Sequence, residues 1–208
     1  MSAPGDRPTL LVIAGPNGSG KSTLRRWLEA HGIALPDHID PDEIAIGLDG
    51  DDTRRTRDAQ RIADDRRARF LSEGRSFSFE TVLSHPSKIA FMRDARAAGY
   101  CVILYYVGIA DPLVNVARVA DRVAKGGHAV PEDKILARYE RSMRLLAEAT
   151  RVADRAYVFD NSGLGGARCL SAVIEGGKLS TVGSDPPDWV SKFLIAPLTT
   201  EAAPTAAP

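Results

Sequence analysis

Two rhythms of apolar residues alternate along this chain. Short apolar-rich runs at residues 10–14, 77–81, 102–107 and 156–159 have the length and composition of buried strands, and a shorter run precedes Asp40. Between them the spacing is helical. Ala59, Ile62, Ala63, Arg66 and Phe70 mark one mostly apolar helix face, and residues 89–98, 112–125 and 132–149 predict further helices. Strands that alternate with helices predict an α/β fold, a parallel sheet flanked by helices on both faces. Near the end, "CLSAVIEGGKLSTVG" predicts a C-terminal β-hairpin that turns at Gly176-Gly177. The pattern gives one domain over residues 1–195. Residues 196–208, rich in Ala, Pro and Thr, are predicted to be a disordered tail.

The loop after the first strand carries the chemistry. "GPNGSGKST" fills the pattern G-x-x-x-x-G-K-[ST] with Gly15, Gly20, Lys21 and Ser22, between a strand and a helix-like stretch. Such a P-loop aims backbone N–H groups at anionic oxygens, and the helix behind it adds its positive end. Gly15, Pro16, Asn17, Gly18, Ser19, Gly20, Lys21, Ser22 and Thr23 are therefore the predicted nucleotide-binding residues. Lys21 is predicted to reach the outer phosphates, and the Ser22 hydroxyl to ligate Mg2+. No [NT]-K-x-D signature appears, so ATP is expected rather than GTP. No apolar strand closes in Asp-Glu, which points away from a motor ATPase. "YVFDNSG" ends in Asp160 alone, a turn residue or a contact near the nucleotide base.

In open parallel sheets, ligands bind beyond the carboxyl ends of the strands. In "HIDPDEIA", Asp40, Pro41 and Glu43 fit the cap, first and third positions of a helix start. That leaves Asp42 to face the cleft as a general base, or to stand as a solvated first-turn acid. "FSFETVLSH" places Glu80 and Thr81 at a strand end, where a carboxylate is costly unless used or paired. They are predicted to hold substrate hydroxyls; a strand-end salt bridge is the alternative.

Asp111-Pro112 begins a helix on which Arg118, Arg122 and Lys125 share a face. After "GGHAVPED", Lys134, Arg138 and Arg141 share a face of the next helix. Two basic faces joined by a Gly-rich loop predict a helical lid, at residues 111–149, whose arginines neutralise a transferring phosphoryl group. Arg122, beside the hinge, is the first candidate.

Composition narrows the acceptor. Lys+Arg and Asp+Glu number 27 each, without the basic excess of a nucleic-acid binder. The N-terminus has no apolar signal region and no run approaches membrane length. Cys101 and Cys169 form no C-x-x-C. These features predict a cytoplasmic enzyme that phosphorylates a small molecule, without nucleic-acid or membrane partners.

Taken in order, "GPNGSGKST", "DPDEIA", "FSFETVLS", "RVADRVAKGGHAVPEDKILARYERS" and "VFDNSG" resemble the zeta toxin family of P-loop kinases, in its short single-domain branch. The resemblance runs over about residues 9–163. It implies a nucleotide-kinase-like fold, ATP and Mg2+ as cofactors, and transfer of the γ-phosphate to the 3′-hydroxyl of UDP-N-acetylglucosamine. It also implies a cognate antitoxin that blocks the ATP site. By position, it implies that Asp42 is the catalytic base and Lys21 the P-loop lysine. Glu80, Thr81 and Asp64 fall on substrate-side positions, and Arg122 on one of two phosphate-binding arginines. Where longer members read R-A-T-P, this chain reads His128-Ala129-Val130-Pro131. A neutral histidine does not replace a guanidinium clamp. Either Arg138 or Arg118 supplies the second charge, or the loop with His128 serves another acceptor, such as an antibiotic or a nucleoside-like metabolite. Chloramphenicol phosphotransferase has a similar architecture. A nucleotide-binding switch with little turnover is the alternative from a different class.

Overall fold

The run at residues 10–14 offers two apolar faces, and only a central strand buries both. In the computed structural model, which describes residues 7–127, 129–163 and 168–200, that strand is β1 (Thr9–Ala14), inside a seven-stranded sheet. The chain continues through α1 (Lys21–Ala30), β2 (Asp37–Ile39), α2 (Pro41–Ile46), α3 (Asp52–Ser72) and β3 (Phe77–Thr81). Then come α4 (Ser87–Ala97), β4 (Cys101–Gly108), α5 (Pro112–Ala124), α6 (Glu132–Val152) and β5 (Arg155–Asp160). The hairpin β6 (Cys169–Glu175) and β7 (Lys178–Val182) turns at Gly176-Gly177, as expected. The strand order is β2-β3-β1-β4-β5-β6-β7. β2, β3, β1, β4 and β5 run parallel, and the hairpin adds antiparallel at one edge.

Alternation along β1 divides the core. Leu11 and Ile13 pack with Leu24 and Leu28 of α1 on one face. Leu10, Val12 and Ala14 meet Ala63 and Phe70 of α3, Ile89 and Met92 of α4, and Met143 and Leu146 of α6 on the other. Register places the strand ends side by side: Ile13 pairs with Glu80, and Ala14 with Thr81 and Tyr106. Every parallel strand therefore delivers its following loop to the same edge of the sheet. Among the described residues, no helix is long and apolar enough to cross a membrane.

One expectation is corrected here. The tail predicted from residue 196 begins as helix: α7 (Asp188–Val190), a π-turn (Ser191–Ile195) and α8 (Ala196–Thr200) form one continuous segment. Trp189, Val190, Leu194 and Leu198 bury one side of it in the main core. The Arg151 guanidinium donates to the Pro197 carbonyl at 2.6 Å, and the Thr200 hydroxyl to the Ala196 carbonyl at 2.8 Å. Burial of that apolar stripe overrides the weak helical preference of the composition. Residues 201–208 lie outside the described residues.

Tyr100 joins the end of α3 to the start of β3. Its buried hydroxyl donates to the Phe70 carbonyl at 2.7 Å and lies 2.9 Å from that of Arg75. Tyr100→Phe removes this donor, leaving the Phe70 carbonyl only the Arg75 N–H at 3.0 Å, and is expected to lower stability by about 1–2 kcal/mol. Urea unfolding should show a lower midpoint with unchanged slope; an unchanged midpoint contradicts the assignment.

Candidate active site

The loop between β1 and α1 turns back across the carboxyl edge of the sheet. The Gly15 N–H donates to the Thr81 carbonyl at 3.2 Å, and the Ser19 N–H to the Pro16 carbonyl at 3.2 Å. α1 begins at Lys21 without a side-chain cap, so its first N–H groups face the loop's concavity. Lys21 curls into that concavity, where its ammonium donates to the carbonyls of Gly15 (2.9 Å) and Pro16 (3.0 Å). Burial lowers its pKa to about 8; Glu80 and Asp42 oppose the shift, and Arg122 adds to it.

Four acids stand along this edge of the sheet, in different roles, and two of them, Glu80 and Asp42, act on this ammonium. The Asp40 carboxylate accepts from the Asp42 N–H at 2.8 Å and caps α2. Glu43 turns to Arg25 of α1, with 3.8 Å between guanidinium and carboxylate. Asp42 remains exposed on the first turn, close enough to Lys21 for its charge to favour the ammonium. Glu80 points from β3 toward α1, where the Ser22 hydroxyl donates to its Oε2 at 3.0 Å. Its other oxygen, Oε1, is buried without a hydrogen-bond partner. Burial raises the Glu80 pKa, with Lys21 opposing and the Asp40 charge reinforcing the rise. A serine hydroxyl beside a carboxylate with an unsatisfied oxygen is a donor set that fits a hydrated divalent cation.

The remaining predicted residues separate. The Thr81 hydroxyl accepts from the Leu83 N–H at 3.1 Å, while its carbonyl receives Gly15. Asp64 pairs with buried Arg67 and lies 3.5 Å from Lys88. Desolvation pushes its pKa up, but Arg67 and Lys88 outweigh this and hold it below the usual carboxylate range. Asp160, at the end of β5, accepts from the Ser162 hydroxyl (2.6 Å) and the Trp189 indole N–H (2.7 Å) and so ties the following turn to the C-terminal segment. His128 lies outside the described residues.

The two basic helices do not contribute alike. Arg118, Asp121 and Arg122 of α5, with Lys125, Gly126 and Gly127 after it, face Thr23 and Arg26 of α1 across a cleft of about 600 Å³. Arg122 is within electrostatic reach of Lys21. On α6, Arg141 donates to the Ser84 carbonyl at 3.2 Å, and Tyr139 donates to Ile109 and Ala110 carbonyls at 2.9 Å. Arg138 is half-buried and makes no hydrogen bond or ion pair among the described residues. Two residues escaped the reading of the sequence. Asn115 of α5 and Asn161 after β5 donate to P-loop carbonyls, Asn115 to Asn17 at 2.5 Å and Asn161 to Ser19 at 2.8 Å.

This geometry meets an independent finding. Residues 2–164 match the model of the Zeta toxin family. The chain belongs to the Zeta toxin family. It is 37% identical over 130 residues to an uncharacterized protein of Haemophilus influenzae, covering 62% of this chain and 91% of that protein. Its fold is similar to a chain of the AvrRxo1-ORF1:AvrRxo1-ORF2 complex crystallised with sulphate ions (TM-score 0.69, 16% identity, 91% of this chain and 64% of that one). The same complex with ATP gives a TM-score of 0.67 at 16% identity, over 85% of this chain and 61% of the other. A structure from the PezAT chromosomal toxin–antitoxin system of Streptococcus pneumoniae gives 0.59 at 17% identity, over 93% of this chain and 81% of the other. These structures share the P-loop kinase fold. The chain spans less than two thirds of the AvrRxo1 chains.

The depressed Lys21 pKa carries a pH dependence. The ammonium, not the amine, attracts a phosphate, and phosphate monoesters are already ionised above a pKa of about 6. Affinity for a nucleoside diphosphate should therefore hold from pH 7 to about 8, then fall by up to about tenfold per pH unit. Lys21→Arg should remove the inflection, since arginine stays charged throughout. Titration calorimetry checks this; an unchanged inflection in that variant contradicts it.

Proposed function

We propose that this chain is an ATP-dependent kinase that transfers the γ-phosphate to a hydroxyl of a small molecule. A UDP-activated amino sugar, UDP-N-acetylglucosamine, is the first-ranked acceptor. The observation that carries the reading is the division between Asp40 and Asp42. Asp40 is occupied as a helix cap, which frees Asp42, exposed and beside Lys21, to take a proton.

In this mechanism Lys21 leaves its loop carbonyls for the outer phosphates, and Arg122 neutralises charge from the lid side. Arg138, on α6 and without a partner among the described residues, is a candidate for the second arginine. Ser22 and Glu80 would hold Mg2+, which when bound supplies positive charge against the phosphate oxygens. Asp42 accepts the proton of the acceptor hydroxyl, whose oxygen then displaces ADP from the γ-phosphorus in line. Glu80 and Thr81, at the end of β3, are the proposed acceptor-side residues. Asp64, paired with Arg67 and Lys88, is the proposed further substrate-side acid. ATP in the AvrRxo1 complex supports the choice of nucleotide.

The family supports a toxic role, and the two-chain AvrRxo1 complex and the PezAT system support a cognate antitoxin as partner. ATP and UDP-sugars make the cytoplasm the fitting compartment. His128, where longer family members carry arginine, favours a second reading: another hydroxyl acceptor, such as an antibiotic or a nucleoside-like metabolite.

Asp42→Asn is expected to bind ATP like the wild type while losing at least about 100-fold in transfer. Undiminished transfer would remove Asp42 from the base role. Expression of the wild type should arrest growth, and Lys21→Ala should relieve the arrest. Growth unaffected by the wild type contradicts the toxin role and favours the second reading.

A further inference from the structure

A P-loop binds anions only if its peptide N–H groups point inward. A trans peptide bond fixes N–H and C=O on opposite sides, so an inward N–H sends the preceding carbonyl outward into protein. Two such carbonyls, of Asn17 and Ser19, are those that receive the side-chain amides of Asn115 (2.5 Å) and Asn161 (2.8 Å). They belong to the peptide units whose N–H groups are those of Gly18 and Gly20.

Both clamps are buried: Asn115 is 0% and Asn161 4% exposed. Each leaves its own Oδ1 buried with no hydrogen-bond partner, a cost that mere space-filling would not impose. Contact with the glycines is close. A Cβ at Gly18 would stand 2.6 Å from the Asn115 carbonyl oxygen, and one at Gly20 would stand 2.7 Å from the Asn161 amide nitrogen. A carboxamide is also a suitable donor, because it donates to the carbonyl without adding a buried charge. The clamps reach the lid as well. Asn115 shares α5 with Arg118, and the Arg118 guanidinium donates to the Asn161 carbonyl at 3.1 Å.

We propose that Asn115 and Asn161 are positioning residues, which hold the Gly18 and Gly20 N–H groups toward the phosphates before any nucleotide arrives and tie the base of the lid helix to the same loop. This rests on the reading of the loop as a polyphosphate site. It does not depend on the identity of the acceptor.

The test compares wild type, Lys21→Ala, Asn115→Ala and Asn161→Ala by calorimetry with ATP and with inorganic tripolyphosphate. Thermal melts confirm that each variant is folded. Each asparagine variant should weaken both ligands by the same factor, about tenfold, with the acceptor KM unchanged. Loss for ATP with tripolyphosphate affinity intact would make the residue a base or ribose contact and overturn the proposal. So would wild-type affinity for both. Should alanine prevent folding, serine at the same position keeps a shorter donor. It should then give an intermediate loss for both ligands, and no loss would overturn the proposal. A wild type that binds both ligands yet transfers no phosphate sinks the kinase reading alone. A wild type that binds neither sinks both.

Discussion

Burial of one ammonium organises this site. Lys21 donates to the carbonyls of Gly15 and Pro16, inside a loop that opens onto the carboxyl edge of the sheet. A cation there is costly to desolvate, and its lowered pKa records that cost. Glu80 and Asp42 offset it in part, and a triphosphate would offset it far more fully. The loop is thus electrostatically prepared for an anion rather than merely shaped for one. The parallel sheet makes the arrangement possible, since it brings the ends of β1, β2 and β3 to one edge from distant parts of the chain.

Around that charge, similar side chains take different roles through their local backbone. Asp40 and Asp42 are two residues apart, yet one is consumed by a backbone N–H and the other is open to solvent. Glu80 is drawn inward against Ser22, with a raised pKa, whereas Asp64 is held ionised by Arg67 and Lys88. Two basic helices diverge in the same way: α5 faces the P-loop helix across a cleft, while α6 docks through Tyr139 and Arg141 onto the loops after β4 and β3.

What could be read from the sequence was local. The P-loop, the proline-started α2 with its cap at Asp40, the strand that ends at Thr81 and the Gly-Gly hairpin each declare themselves within about ten residues, through periodicity or turn chemistry. What could not be read depends on distance in the chain. Asn115 and Asn161 lie 98 and 142 residues from the carbonyls they clamp, and although "VFDNSG" marks the stretch around Asn161, nothing local points to its partner. The pairing of Glu80 with Ser22 spans 58 residues, so its burial was legible only as a strand-end acid in need of a partner. The segment from Asp188 to Thr200 hid its helix behind Pro186-Pro187 and an Ala/Pro/Thr-rich end. Its stability comes from Trp189, Leu194 and Leu198 packed in the core, a tertiary effect that no local preference reports.

The central claim is phosphoryl transfer to a hydroxyl of a small acceptor. Its most direct test is to incubate the purified protein with Mg-ATP and UDP-N-acetylglucosamine and follow the sugar nucleotide by mass spectrometry. A product heavier by one phosphoryl group, formed together with ADP, is the expected result. An unmodified sugar nucleotide, with ATP bound but no phosphorylated species formed from it or from a metabolite extract, would contradict the claim and leave a nucleotide-binding switch in its place.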